Sequence, residues 1–202
     1  MKSFSSIAAF LFIALALLAS PVDRVSRAQA AATGHPIVEM TTSKGLILIK
    51  LYPEDAPKSV SNFIKLVNEH FYDGTKIHRV ADLEGEPGSG VGHIVQGGDP
   101  LSKTKAATDP SVGSGGPGWT IRGEFPSNGV SNPLLHNQGA FAMARMSSPD
   151  SAGSQFYFVV TPAHSLDGKY AVFGQVIQGI SVANNLVVGD TISRVVIAQS
   201  RY

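Results

Sequence analysis

Two neighbouring stretches decide the fold: Gly153-Ser154-Gln155-Phe156-Tyr157-Phe158-Val159-Val160, and Leu166-Asp167-Gly168-Lys169-Tyr170-Ala171-Val172-Phe173-Gly174. Aromatic and β-branched residues crowd both, and glycine stands at their borders, the signature of short strands. Working outward, the sequence predicts strands over Ala140–Arg145, Gln155–Val160, Tyr170–Val176 and Thr191–Ala198. Nearer the N-terminus, Ile37–Met40 and Leu46–Tyr52 are strand-like runs split by a Thr-Ser-Lys-Gly turn. Leu46, Ile47, Leu48 and Ile49 load both faces, which predicts a strand covered on both sides.

One amphipathic helix stands out. Pro57 suits a first helical position, and Glu54 and Asp55 sit where the positive end of the helix dipole favours them. Val60, Phe63, Ile64, Val67 and Phe71 form a buried stripe, and Asp73-Gly74 is the expected stop. Ser181–Val187 suits a short second helix, while Gly85–Gly92 and Gly113–Gly118 are glycine-rich loops. Many short strands with two helices imply a mostly β fold, a small closed barrel with helix-covered ends. Periodicity alone suits a sandwich equally well.

Composition limits the function. The 202 residues carry 16 basic and 15 acidic side chains, a balance that offers no field for nucleic acid or an anionic membrane. No cysteine is present, which removes thiol catalysis, disulfides and cysteine zinc sites. Lys2 precedes the uncharged apolar run Ile7–Ala19, too short to span a bilayer, and Ala28-Gln29-Ala30 supplies a small-x-small cleavage pattern. Residues 1–30 are therefore expected to be a signal peptide cut after Ala30, with 31–202 as one domain. That places the protein outside the cytoplasm, periplasmic or secreted, with no membrane association after cleavage. Losing Lys2, Asp23, Arg24 and Arg27 leaves a net charge of −1.

Nucleophile elbows, zinc-protease helices, calcium loops and phosphate-binding loops are missing. Gly113-Ser114-Gly115-Gly116 lacks the lysine a phosphate cradle needs, and the six histidines show no i, i+4 pair. No metal and no cofactor is expected, and the chemistry should leave covalent bonds as they are.

Four segments together resemble the cyclophilin family of peptidyl-prolyl cis/trans isomerases. They are Ile77-His78-Arg79-Val80, Val95-Gln96-Gly97-Gly98-Asp99, Ala142-Met143-Ala144-Arg145 running on to Gly153–Phe158, and Leu166–Gly174. Ala56–Phe63 and Gly123-Glu124-Phe125 support the match, which covers Ile37 to Ala198. The resemblance implies that family's closed eight-stranded antiparallel barrel capped by two helices. It also implies that Arg79 is the main catalytic group, assisted by Gln96, with Gln155 and Tyr157 at the site. Ile94, Tyr157, Leu166 and Tyr170 would line a proline pocket, and Ala144 and the Arg145 backbone would edge the peptide groove.

The residue types suit that reaction. Rotating an X–Pro bond breaks amide resonance against about 18–20 kcal/mol, and uncatalysed it takes tens to hundreds of seconds. A roughly 10⁴-fold gain corresponds to about 5.5 kcal/mol. An apolar slot for the ring, with donors matched to the twisted amide, can provide it. The guanidinium fork suits that task better than a lysine ammonium.

The sequence also departs from the family. Sixteen residues separate Arg79 from Gln96, a longer connection than usual, so Ala81–Gly90 is expected to be a polar insertion beside the site. His93 falls where the family has a pocket phenylalanine, which would make the slot more polar. Ser165 stands where many members have a cyclosporin-contacting tryptophan, which implies weak cyclosporin binding. Two readings follow: a monomeric exported isomerase acting on proline-containing polypeptides, or a proline-peptide-binding chaperone with little turnover. Arg79, Gln96 and Gln155 favour the first; the insertion and His93 would permit the second.

Overall fold

The computed structural model describes residues 34–83 and 92–198. The expected signal peptide lies outside them, as does most of the Ala81–Gly90 insertion. The strands are β1 (Ile37–Thr42), β2 (Gly45–Leu51), β3 (Arg79–Leu83), β4 (Gly92–Gly97), β5 (Ala140–Met143), β6 (Phe156–Thr161), β7 (Val172–Gln178) and β8 (Ile192–Ile197). Helix α1 spans Pro57–Asn68 and α2 spans Ile180–Asn184. Single 3₁₀ turns occupy Pro100–Lys103, Pro126–Asn128 and His164–Leu166. Every expected strand is present within a few residues. Ala81, Asp82 and Leu83, expected to belong to the insertion, are instead part of β3.

All eight strands join one antiparallel sheet in the order β3-β4-β6-β5-β7-β2-β1-β8. The expected closed ladder is not formed: the sheet is open, a half-barrel ending at β3 and β8. Its ends approach only just before β3, where Gly74 and Ile77 donate to Ile192 and Asp190, and Ile192 donates back to Thr75. The pairing runs into the tight turn where Val187 and Asp190 bond each other, with Gly189 N donating to Ile77 O at 2.9 Å.

Strand alternation makes two apolar faces. Phe141, Met143, Phe156, Phe158, Val160 and Phe173 point into the main core, while Ala140, Ala142, Tyr157, Val159 and Val172 point the other way. Phe63 of α1 enters the main core, with ring centroids 5.3 Å from Phe141 and 4.9 Å from Tyr72. Leu46, expected to be covered, is 40% exposed, although Ile47, Leu48 and Ile49 are buried.

Both ends of α1 differ from expectation. Ala56 makes no side-chain cap. The distant Glu124 does the work, accepting from Lys58 N at 2.9 Å and from Ser59 N and Oγ, each at 2.8 Å. Glu54 instead bonds His35. The helix stops at Asn68, before Phe71, because His70 turns left-handed (φ 54°). Phe71 N then bonds Leu66 O and His70 N bonds Val67 O, the paired bonds of a Schellman stop.

Candidate active site

Register brings the distant motifs together. Arg79 lies opposite Gln96, Gln96 opposite Tyr157, and Tyr157 opposite Ala142, so one row crosses four strands on the outer face of the sheet. Along that row Arg79 Nη1 donates to Gln96 Oε1 at 3.1 Å, and Gln96 Nε2 donates to Gln155 Oε1 at 2.9 Å. Gln155 Nε2 donates to the carbonyls of Gly113 and Gly115 at 2.9 and 2.8 Å. His78 Nε2 meets Gln155 Oε1 at 3.2 Å. Gln155 thus has its amide orientation fixed from both sides. Burial pushes the His78 imidazole below its ordinary pKa, against the opposing pull of Asp99, so it faces Gln155 as a neutral ring.

The tight Gly97-Gly98 corner after β4 has a steric cause. Gly98 is left-handed (φ 89°), and a Cβ there would lie 2.6 Å from Ser154 O. That approach lets Ser154 Oγ bond Gly98 O at 2.7 Å and sets Gln155 beside Gln96.

Beneath this polar row is a groove of about 360 Å³. Of the expected residues, Arg79, Ile94, Gln96, Ala144, Arg145, Tyr157, Leu166 and Tyr170 all line it. Gln155 lines an adjoining hollow of about 400 Å³, which shares Gln96, Ala144 and Arg145 with the first and is walled by the Gly113–Gly118 loop and Trp119. Trp119 is fixed from α1: its Nε1 donates to Asn62 at 2.9 Å, and Lys65 Nζ lies 3.8 Å from its ring centroid.

His93 is a correction. It lines neither hollow and instead bonds Asp82 Oδ1 at 2.6 Å across the β3–β4 pair. Alternation along β4 puts Ile94 and Gln96 on the groove face and turns His93 to the other. Sequence reasoning also missed lining residues. Leu83 was assigned to the insertion, although its pairing with Gly92 carries it along the groove edge, and Val112 and His78 join it there.

The pocket floor rests on a buried polar chain that the sequence did not announce. Tyr157 Oη lies 2.9 Å from His136 Nε2, and His136 Nδ1 lies 2.8 Å from Asp167 Oδ1. Asp167 also accepts the His136 backbone N–H at 2.7 Å and pairs with His164 at 2.9 Å. Burial lowers the His136 pKa despite its bond to Asp167, so the ring is neutral and Tyr157 donates to it. Burial lifts the Tyr157 phenol well above its usual range. For Asp167 burial pulls upward, but the bonds from His136 and His164 outweigh it and hold the carboxyl low. Arg145 has a second part beyond its backbone. Its guanidinium lies 4.4 Å from the Tyr170 ring centroid and donates to the carbonyls of Lys169, Met146 and Ser147, tying two groove walls together.

An open slot walled by Ile94, Tyr157, Leu166 and Tyr170 and edged by a guanidinium and two oriented amides presents hydrogen-bonding groups beside apolar ones. Among the described residues, no three acidic or histidine side chains are grouped to hold a metal. Residues 37–200 match the family described as cyclophilin type peptidyl-prolyl cis-trans isomerase/CLD. Peptidyl-prolyl cis-trans isomerase B of Bacillus subtilis is 40% identical over 149 residues, covering 74% of this chain and 88% of the relative. A Helicobacter pylori peptidyl-prolyl cis-trans isomerase is 36% identical over 161 residues, covering 79% and 85%. A Cryptosporidium parvum cyclophilin-type isomerase, solved in the presence of the dipeptide Ala-Pro, superposes with a TM-score of 0.63 at 26% identity, covering 81% of this chain and 99% of that one. The chain belongs to the cyclophilin family and is a peptidyl-prolyl cis-trans isomerase.

Proposed function

We propose that the isomerase takes proline-containing polypeptides in the 360 Å³ groove, with Arg79 as the catalytic group. The proline ring sits against Ile94, Tyr157, Leu166 and Tyr170, and the peptide backbone runs along Ala144 and Arg145. The Arg79 guanidinium holds the prolyl carbonyl and donates toward the nitrogen as it loses planarity, while Gln96 fixes the guanidinium and Gln155 steadies Gln96. No bond to the enzyme forms. Stabilisation comes from donors that fit the twisted amide better than the planar one. The observation that carries this reading is the 3.1 Å bond from Arg79 to Gln96 at the rim of a groove also lined by Ile94, Tyr157, Leu166 and Tyr170. Support comes also from the relative solved with Ala-Pro.

The competing reading, a peptide-holding chaperone with little turnover, drew on a polar slot containing His93, and the pairing of His93 with Asp82 weighs against it. A proline-limited refolding assay separates the two. The protein is expected to accelerate the slow phase, and Arg79→Ala is expected to lose most of that gain while still binding peptide. No acceleration by the wild type would sink the enzyme reading. Cyclosporin is expected to inhibit only weakly, because Ser165 offers no large ring.

We further propose that the protein is of the bacterial exported type, acting as a monomer in the periplasm or outside the cell after cleavage at Ala30. Lys2, the apolar run Ile7–Ala19 and Ala28-Gln29-Ala30 support this. N-terminal sequencing of the exported protein should begin at Ala31, and an intact Met1 would overturn it.

A further inference from the structure

Asp99 is fully buried, and among the described residues it has no cation partner in salt-bridge range. Its carboxylate is spent on backbone. Oδ1 accepts Leu101 N at 2.7 Å, and Oδ2 accepts Gly113 N at 2.5 Å and Gly115 N at 2.9 Å. The first bond caps the 3₁₀ turn Pro100–Lys103. The other two reach more than a dozen residues along the chain to the glycine loop. Gly115 passes so close that a Cβ there would lie 2.2 Å from Asp99 Oδ1. Those same two glycines present the carbonyls that accept Gln155 Nε2.

An unbroken set of bonds therefore runs from Asp99 through the loop to Gln155, on to Gln96, and ends at Arg79. The loop offers the sheet only carbonyl acceptors at this point. Gln155 must then turn its NH₂ toward the loop and its Oε1 toward Gln96, and Gln96 must in turn show its Oε1 to the guanidinium. The orientation of every amide in the row is set by the end at which the carboxylate holds the loop.

We propose that Asp99 is a positioning residue for the isomerisation, holding the Gly113–Gly115 backbone so that Gln155 and Gln96 aim Arg79 at the groove. This rests on the reading of Arg79 as the catalytic group. In Asp99→Asn one acceptor oxygen becomes an NH₂ that must face either Leu101 N–H or the Gly113 and Gly115 N–H groups, donor against donor, so the turn and the loop it holds lose their common anchor. The residues that hold the proline ring do not touch Asp99, so binding and turnover should separate.

The experiment measures kcat and KM on a proline tetrapeptide for wild type, Asp99→Asn, Arg79→Ala and the double variant, with circular dichroism to confirm folding. Misaiming a catalytic group costs up to about a hundredfold, so kcat of Asp99→Asn should fall roughly tenfold to a hundredfold with KM within about twofold. If Asp99 acts through Arg79, the double variant should be no slower than Arg79→Ala alone. A folded Asp99→Asn with wild-type kcat overturns the proposal, as does a double variant slowed by the full product of the two losses. Should Asp99→Asn fail to fold, Gly115→Ala keeps the carboxylate but pushes it off the loop. The same loss of kcat is expected there, and wild-type kcat in folded Gly115→Ala overturns the proposal. Arg79→Ala with full activity would sink the catalytic reading and this inference together. An inactive Arg79→Ala beside a fully active Asp99→Asn sinks the inference alone.

Discussion

Tyr157 combines two jobs in one side chain: its ring walls the groove, and its hydroxyl is tied to His136 behind the wall. The tie has a pH signature. His136 has a folded pKa below its unfolded value, near 6.5, because burial penalises the charged ring. As pH falls below about 6.5 the unfolded chain takes up this proton before the folded one does, so the contribution is present above that pH and is lost on acidification. Asp167, also depressed, adds stability that is lost only at more acid pH, below the carboxylate range. A histidine NMR titration should find His136 as a ring that protonates below the free value. A midpoint at or above 6.5 would contradict the buried neutral ring. At this scale Arg79, Gln96 and Gln155 were legible because their motifs stand in order. His93 was misplaced because the family motif has a pocket side chain there, whereas alternation along β4 turns His93 away from the face of Ile94 and Gln96.

Helix α1 shows how an element can be legible in its body and opaque at its ends. The apolar stripe announces the helix, yet Ala56 offers no cap, and the group that meets the first-turn N–H groups lies some sixty-five residues away. Glu124 is 3% exposed and has three donors on its carboxylate. Glu124→Gln keeps the shape but replaces one acceptor oxygen with a donor facing N–H groups. Urea unfolding should show a loss of about 1–2 kcal/mol, typical of removing a helix cap. An unchanged midpoint would mean that α1 does not depend on this carboxylate. The early stop was equally hidden, since His70 adopts the left-handed turn that glycine or asparagine would have signalled. Core packing on the same helix is simpler: Phe63, wholly buried among aromatic rings, should cost about 3–5 kcal/mol as Phe63→Ala in the same assay. A loss below about 1 kcal/mol would mean the ring is not the plug it resembles.

For the molecule as a whole, strand number and pairing sense followed from the motifs, but closure did not. The edge strands β3 and β8 meet through backbone bonds such as those from Gly74 and Ile77, just before β3, and backbone bonds leave no side-chain pattern to read. The outer face was legible only in part for the same kind of reason. Strand β5 alternates Ala140, Phe141, Ala142 and Met143, so the bulk goes inward and almost nothing stands outward. Ala142 is buried opposite Tyr157, and Ala144, just past the end of β5, is the alanine that lines the groove. Enlarging that one methyl group is a way to retune the groove without touching its polar row. Ala144→Leu, at the partly buried mouth, should leave the fold and its unfolding midpoint nearly intact while raising KM severalfold with kcat at saturation close to wild type. Such a variant would act as a size gate, admitting slender chains around proline and turning bulky ones away.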